Sequence, residues 1–131
     1  MRVRTWLAAL VCSLAAVGCG KEKSTDELVE DMKSSKESDR VAAVRTLPRR
    51  KGDAAKVLPT LIEALKDKSP EVRHDAALGL GSYHEEARDA VPALQALLKD
   101  RDRRVREAAG IALSRIDPVN FPDKSRPPAA P

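Results

Sequence analysis

Residues 59–80 read PTLIEALKDKSPEVRHDAALGL, and residues 92–113 read PALQALLKDRDRRVREAAGIAL. At a fixed offset of 33 residues, Pro59, Leu61, Leu65, Lys66, Asp67, Val72, Arg73, Ala76 and Leu80 recur unchanged. Nine identities at one spacing in a chain of 131 residues mark a stacked repeat. Each copy carries two helical patterns. Leu58, Leu61, Ile62 and Leu65 follow one helix face; Val72, Ala76, Gly79, Leu80 and Tyr83 follow another. Val105, Ala109, Ala112, Leu113 and Ile116 repeat the second set. The link between the two patterns is short, Asp67-Lys68-Ser69-Pro70 in one copy and Asp100-Arg101-Asp102-Arg103 in the next. Ser69 is a natural N-cap, and Pro70 falls where a helix needs no N–H. Asp102 is placed to cap the equivalent helix. Each unit is therefore predicted to be a helical hairpin, and the fold an all-α solenoid.

A third copy lies upstream. Subtracting another 33 residues brings Leu28, Lys33, Arg40, Ala43 and Leu47 under their counterparts. This predicts helices over about Asp26–Lys33 and Asp39–Leu47, with Ser24 and Glu27 as a capping box. An offset of 31 would instead match Val41 to Val72, and the sequence leaves that register open.

The pattern resembles HEAT repeats, most closely the short bacterial type first known from phycobilin lyases. The resemblance is carried by Val-Pro-x-Leu at 91–94, Leu-Lys-Asp at 65–67 and Val-Arg-x-x-Ala at 72–76, and it covers about Ser24 to Asp117. It implies an α-solenoid of paired helices and is nearly silent on activity. The small residues Ala76, Ala77, Gly79, Ala109, Gly110 and Ala112 suit the close helix approach of such a stack. Leu78 and Ile111 lie off the main apolar face; neighbouring repeats are expected to bury them, and an exposed binding row is the other reading. Arg73 and Arg106 are read as structural, pairing near the Asp67 and Asp100 turns.

The domain boundaries follow from this periodicity. Residues 1–18 read as a leader, 19–24 as a tether, 25–117 as repeats (about 25–57, 58–90 and 91–117), and 118–131 as a disordered Pro-rich tail. Aromatic residues are 2% of the chain, so the core must be built from Leu, Val, Ile and Ala. The net charge is +4, but Arg2 and Arg4 of the leader supply two of those charges. The remaining charges are mixed in sign, the surface of an ordinary helical protein, and no nucleic-acid partner is expected.

The leader, MRVRTWLAALVCSLAAVGCG, has a basic start and an apolar run from Trp6 to Val17, too short to span a bilayer stably. It ends in Ala16-Val17-Gly18-Cys19, which resembles a bacterial lipobox with Ala in place of the usual Leu. That resemblance implies diacylation of the Cys19 sulfur, cleavage after Gly18 and acylation of the new amine, giving a lasting membrane anchor. An ordinary cleaved signal peptide and a buried N-terminal helix are the other readings. Cys12 would leave with the leader and Cys19 would carry lipid, so no disulfide is expected. Gly20 stands where an aspartate tends to retain enterobacterial lipoproteins in the inner membrane, which slightly favours the outer membrane.

Pro48-Arg49-Arg50-Lys51-Gly52-Asp53 reads as a solvated loop between repeats rather than an anion-binding patch, because three cations fall short of a basic motif. After Ile116 the stretch DPVNFPDKSRPPAAP holds five prolines in fifteen residues; Phe121 is its one candidate for capping the last repeat.

Catalytic chemistry finds little support. No nucleophile motif, glycine-rich phosphate loop or zinc pattern is present, and the histidines are His74 and His84. Arg73-His74-Asp75-Ala76-Ala77 is similar to the His-Glu position of deoxyhypusine hydroxylases, with Asp for Glu, but one such pair cannot ligate two irons. A tetrapyrrole cleft of the phycobilin-lyase kind would need aromatic walls that this chain lacks. The expectation is a non-enzymatic adaptor in a bacterial cell envelope with no cofactor, no metal and no small-molecule substrate. A protein partner is expected on the exposed side of the second helices, around His74, Asp75, Glu107 and Arg115. An accessory subunit that modulates an envelope enzyme is the runner-up.

Overall fold

A computed structural model describes residues 21–123. The leader, Cys19 and the end of the Pro-rich tail lie outside the described residues. Six α-helices form three antiparallel hairpins: α1 (Thr25–Asp31) with α2 (Glu37–Thr46), α3 (Ala54–Ala64) with α4 (Pro70–Gly81), and α5 (Val91–Leu97) with α6 (Arg103–Ile116). No strand occurs among the described residues. The second helices stack as one layer, α2 on α4 and α4 on α6, with the α4–α6 contact the most extensive. The all-helical solenoid is thus the observed architecture.

The helix ends carry the predicted chemistry. The Ser24 hydroxyl accepts from Glu27 N–H while the Glu27 carboxylate accepts from Ser24 N–H, a complete capping box. Ser69 accepts from Val72 N–H with Pro70 as the first helical residue. Asp102 accepts from Arg104 and Val105 N–H. Each cap satisfies orphan donors at the start of its helix, and Asp102 stands at the 33-residue counterpart of Ser69.

The core is aliphatic. Val44, Leu47, Val57, Leu61, Val72, Leu80, Leu94, Val105, Leu113 and Ile116 are its largest fully buried side chains. The second-helix faces read from the sequence are all buried. The first-helix face needs correction: Val57, Leu61, Ala64 and Leu65 are buried, whereas Leu58 and Ile62 are half-buried. The strip is rotated because α3 packs against both α1 and α4.

α3 also starts earlier than its Pro59 suggests, at Ala54. Proline inside a helix removes the bond to the carbonyl four residues back, here that of Ala55. Ala55 is exposed, so water can take that acceptor. In the third repeat the equivalent turn is instead a 3₁₀ segment, His84–Ala90, bent at Ala87.

The basic loop differs from expectation. It folds into two 3₁₀ turns, Leu47–Arg49 and Lys51–Asp53, and two of its three cations are engaged. Lys51 Nζ donates to the Ser82 carbonyl at 2.7 Å and lies 3.4 Å from the centre of the Tyr83 ring. Arg50 donates to the Lys23 carbonyl at 2.9 Å, strapping the segment ahead of α1 onto the body. At the other end, the Pro-rich stretch does not begin as a structureless tail. Asn120 donates to the Asp117 carboxylate, Phe121 N–H donates to the Asp117 carbonyl, and the half-buried Phe121 ring packs on the core.

Candidate partner-binding surface

The charged side chains sheltered within the stack form a ladder. Arg40 Nε and Nη2 donate to the two Asp67 oxygens at 2.8 and 3.0 Å. One repeat on, Arg73 Nε and Nη2 donate to the Asp100 oxygens at 2.9 and 2.9 Å. Each arginine also turns Nη1 onto carbonyls of its own inter-helix link: Ser34 and Ser35 for Arg40, Asp67 and Lys68 for Arg73. Each repeat is thereby latched to the next by a two-pronged, charge-assisted contact. The ladder settles the register of the first repeat at 33 residues, because Arg40 occupies the place of Arg73. Arg73 serves the structural role read from the sequence, but its carboxylate partner lies in the following repeat.

These pairs shift the ionisation of their members. The Arg73 guanidinium holds the Asp100 carboxyl below the usual carboxylate range. At Asp67 burial pushes upward, but the bonds from Arg40 and from Ser69 N–H outweigh it, and the net shift is downward.

A second polar network joins α2 to α4. Arg45 Nε donates to Asp75 at 2.7 Å and Arg45 Nη2 to Glu71 at 2.6 Å. Asp75 also meets His74 Nδ1 at 2.8 Å. Arg45 and Asp75 of this network line a shallow groove between α2 and α4, together with Val44, Leu78, Gly79, Arg49 and Lys51. Gly79 lets Pro48 approach α4 closely: a Cβ there would lie 2.7 Å from Pro48 Cγ.

The four surface residues singled out in the sequence are not one cluster. His74 and Asp75 touch each other, and Asp75 alone of the two lines the groove and reaches the first repeat through Arg45. Glu107 is exposed and pairs with Arg103 at 2.7 Å. Arg115 lies at the far end of α6, its stem beside Gly81. Arg45 was missed; its signal was its place at the 33-residue offset from Leu78 and Ile111, the two apolar positions that neighbouring repeats were expected to bury. Leu78 is half-buried, whereas Ile111 is 45% exposed. Among the described residues, no group of three or more His, Cys, Asp or Glu is placed to hold a metal, and no helix is long and apolar enough to cross a membrane.

The family model described as HEAT repeats matches residues 25–114. Among solved structures, the complex of CpcE and CpcF of phycocyanin lyase from Nostoc sp. PCC7120 contains a similar chain, with a TM-score of 0.65 and 28% sequence identity. The match covers 76% of this chain and 40% of that one, so this chain spans well under half of its neighbour's length. No curated protein matches the chain.

Proposed function

The chain belongs to the HEAT-repeat family, and on that premise we propose that it is a non-catalytic scaffold, held in a bacterial cell envelope by lipid on Cys19, that offers its helix faces to a protein partner. The observation that carries this reading is the use of the sheltered charges. Arg40, Asp67, Arg73, Asp100 and Asp75 act as struts between helices, and what remains on the outside is a groove and an open end suited to contact with another protein. The lipobox-like ending at Cys19 and the short polar stretch after it support the anchor, and Gly20 favours the outer membrane. A second reading, an accessory subunit of an envelope enzyme, draws on the neighbour, whose structure is that of a complex of two phycocyanin lyase proteins.

The anchor is tested by intact mass and detergent partitioning of the chain expressed with its leader in a bacterial host, beside a Cys19→Ala variant. The reading expects loss of residues 1–18, the added mass of acyl chains, and partitioning that disappears in the variant. An unmodified, freely soluble wild-type chain would refute the anchor and leave a cytoplasmic HEAT adaptor as the account.

A further inference from the structure

The two latches inside the stack show what a third arginine lacks among the described residues. Arg106 is the counterpart of Arg40 and Arg73, and it is held in the same pose. Its Nη1 donates to the Asp100 and Arg101 carbonyls at 2.7 and 3.1 Å. In the other two repeats Nε and Nη2 close on an aspartate of the following repeat; for Arg106 no such acceptor exists among the described residues.

The apolar surroundings of Arg106 are open in the same way. Leu65 is 2% exposed, but its counterpart Leu98 is 42% exposed. Ala77 is fully buried, but its counterpart Gly110 is only half-buried, with Leu98 close beside it. Leu98, Ile111 and Val119 are the large exposed hydrophobic residues of the described chain, and the first two flank this end. Residues 117–123 are committed elsewhere, through the Asp117–Asn120 turn and the Phe121 ring packed on the core, and both Leu98 and Ile111 are exposed.

We infer that this open end, formed by Leu98, Arg106, Gly110 and Ile111, is a docking face for a helical hairpin of a second HEAT-type protein whose inter-helix turn carries an aspartate. The stack supplies the template, since the same surface of repeats one and two is covered by a hairpin with Asp67 or Asp100 in its turn. A second copy of this chain does not meet the requirement. Its leading repeat has Ser34 at that position, and the Ser34 hydroxyl is already donating to Asp39. The inference rests on the scaffold reading for the partner being a protein, but on nothing about lipid or location.

The test uses a hairpin of known sequence as probe. A copy of residues 84–116 is joined directly after Ile116, so that Arg106 acquires a following turn with an aspartate. The added turn carries either Asp or Asn, each combined with Arg106 or Arg106→Gln, and the four proteins are unfolded in urea. The expected result is a higher midpoint with the added hairpin, most of which is lost on changing its Asp to Asn when Arg106 is present, and none when it is absent. Equal gains in all four would show that no carboxylate is selected and would overturn the inference. Fast amide exchange throughout the added copy would overturn it too, because the end would not accept a hairpin. Sedimentation of the unextended full chain should give a monomer; end-to-end association abolished by Arg106→Gln would make a second copy the occupant and overturn the choice of partner. These readouts do not depend on acylation, so failure of the anchor and failure of the docking face are distinguishable.

Discussion

Arg73 of the second repeat and Asp100 of the third are joined by two parallel hydrogen bonds of 2.9 Å, and Arg73 and Asp100 side chains are only 16% and 9% exposed. A pair this sheltered leaves an uncompensated charge when one member is removed. Asp100→Ala is therefore expected to lower stability by about 2–3 kcal/mol, within the range for breaking a charged hydrogen-bonded pair. Arg106→Gln, which among the described residues gives up bonds to the Asp100 and Arg101 carbonyls, should cost about 1 kcal/mol. Urea unfolding of the two variants checks the ranking; equal losses would contradict it.

The same pairs set an acid limit. Asp67 and Asp100 ionise more readily in the folded chain than in the unfolded one. Their contribution is complete above the unfolded carboxylate value of about 4 and is lost as pH falls through their lower folded values. Thermal melts should show a midpoint that drops below about pH 4, and an Asp100→Asn variant should show a smaller drop over that window.

Three glycines of similar sequence setting separate cleanly. A Cβ at Gly79 would lie 2.7 Å from Pro48 Cγ, one at Gly81 would lie 3.0 Å from Ala112 Cα, and one at Gly110 would meet only Leu98 at 4.0 Å. Gly79→Ala and Gly81→Ala should each destabilise by about 1–3 kcal/mol through overpacking. Gly110→Ala should stabilise by about 0.5–1 kcal/mol, the ordinary gain for alanine inside a helix. Denaturation midpoints of the three variants test the contrast.

His84 is the one non-glycine residue with positive φ among the described residues, at 52°, and it is exposed. Its side chain makes no hydrogen bond or ion pair among the described residues to offset that conformation. His84→Gly should raise stability by up to about 1 kcal/mol, since glycine adopts this region without a steric penalty. A loss on the same substitution would mean that the imidazole makes a contact worth more than the strain.

Much of this architecture is legible in the sequence because the repeat writes each signal twice. Ser69 with Pro70, and Asp102 one repeat on, announce the same helix start, and the second-helix faces follow a simple period. The first-helix face is less legible because Ala64, which sets the buried strip, is a weak apolar signal beside Leu58 and Ile62. The register of the first repeat hangs on Arg40 against Val41, two residues that a hydrophobic pattern cannot rank; the ion-pair ladder ranks them at once. The partner of Arg73 lies 27 residues on, and no local rule connects an arginine to the turn of the next hairpin. For the surface, His74 and Asp75 were visible as polar helix positions, but their tie to Arg45 depends on how α2 stacks on α4. The engagement of Arg50 and Lys51 was hidden for the same reason, since their acceptors are carbonyls brought in by packing.

The central claim is that this solenoid is a scaffold whose work is to hold another protein. Native mass spectrometry of the chain, purified in detergent from the envelope of the cells that make it, tests this most directly. The account predicts an acylated chain in a defined stoichiometric complex with one other protein. A solitary chain carrying a bound metal or pigment, or turning over a small molecule by itself, would contradict it.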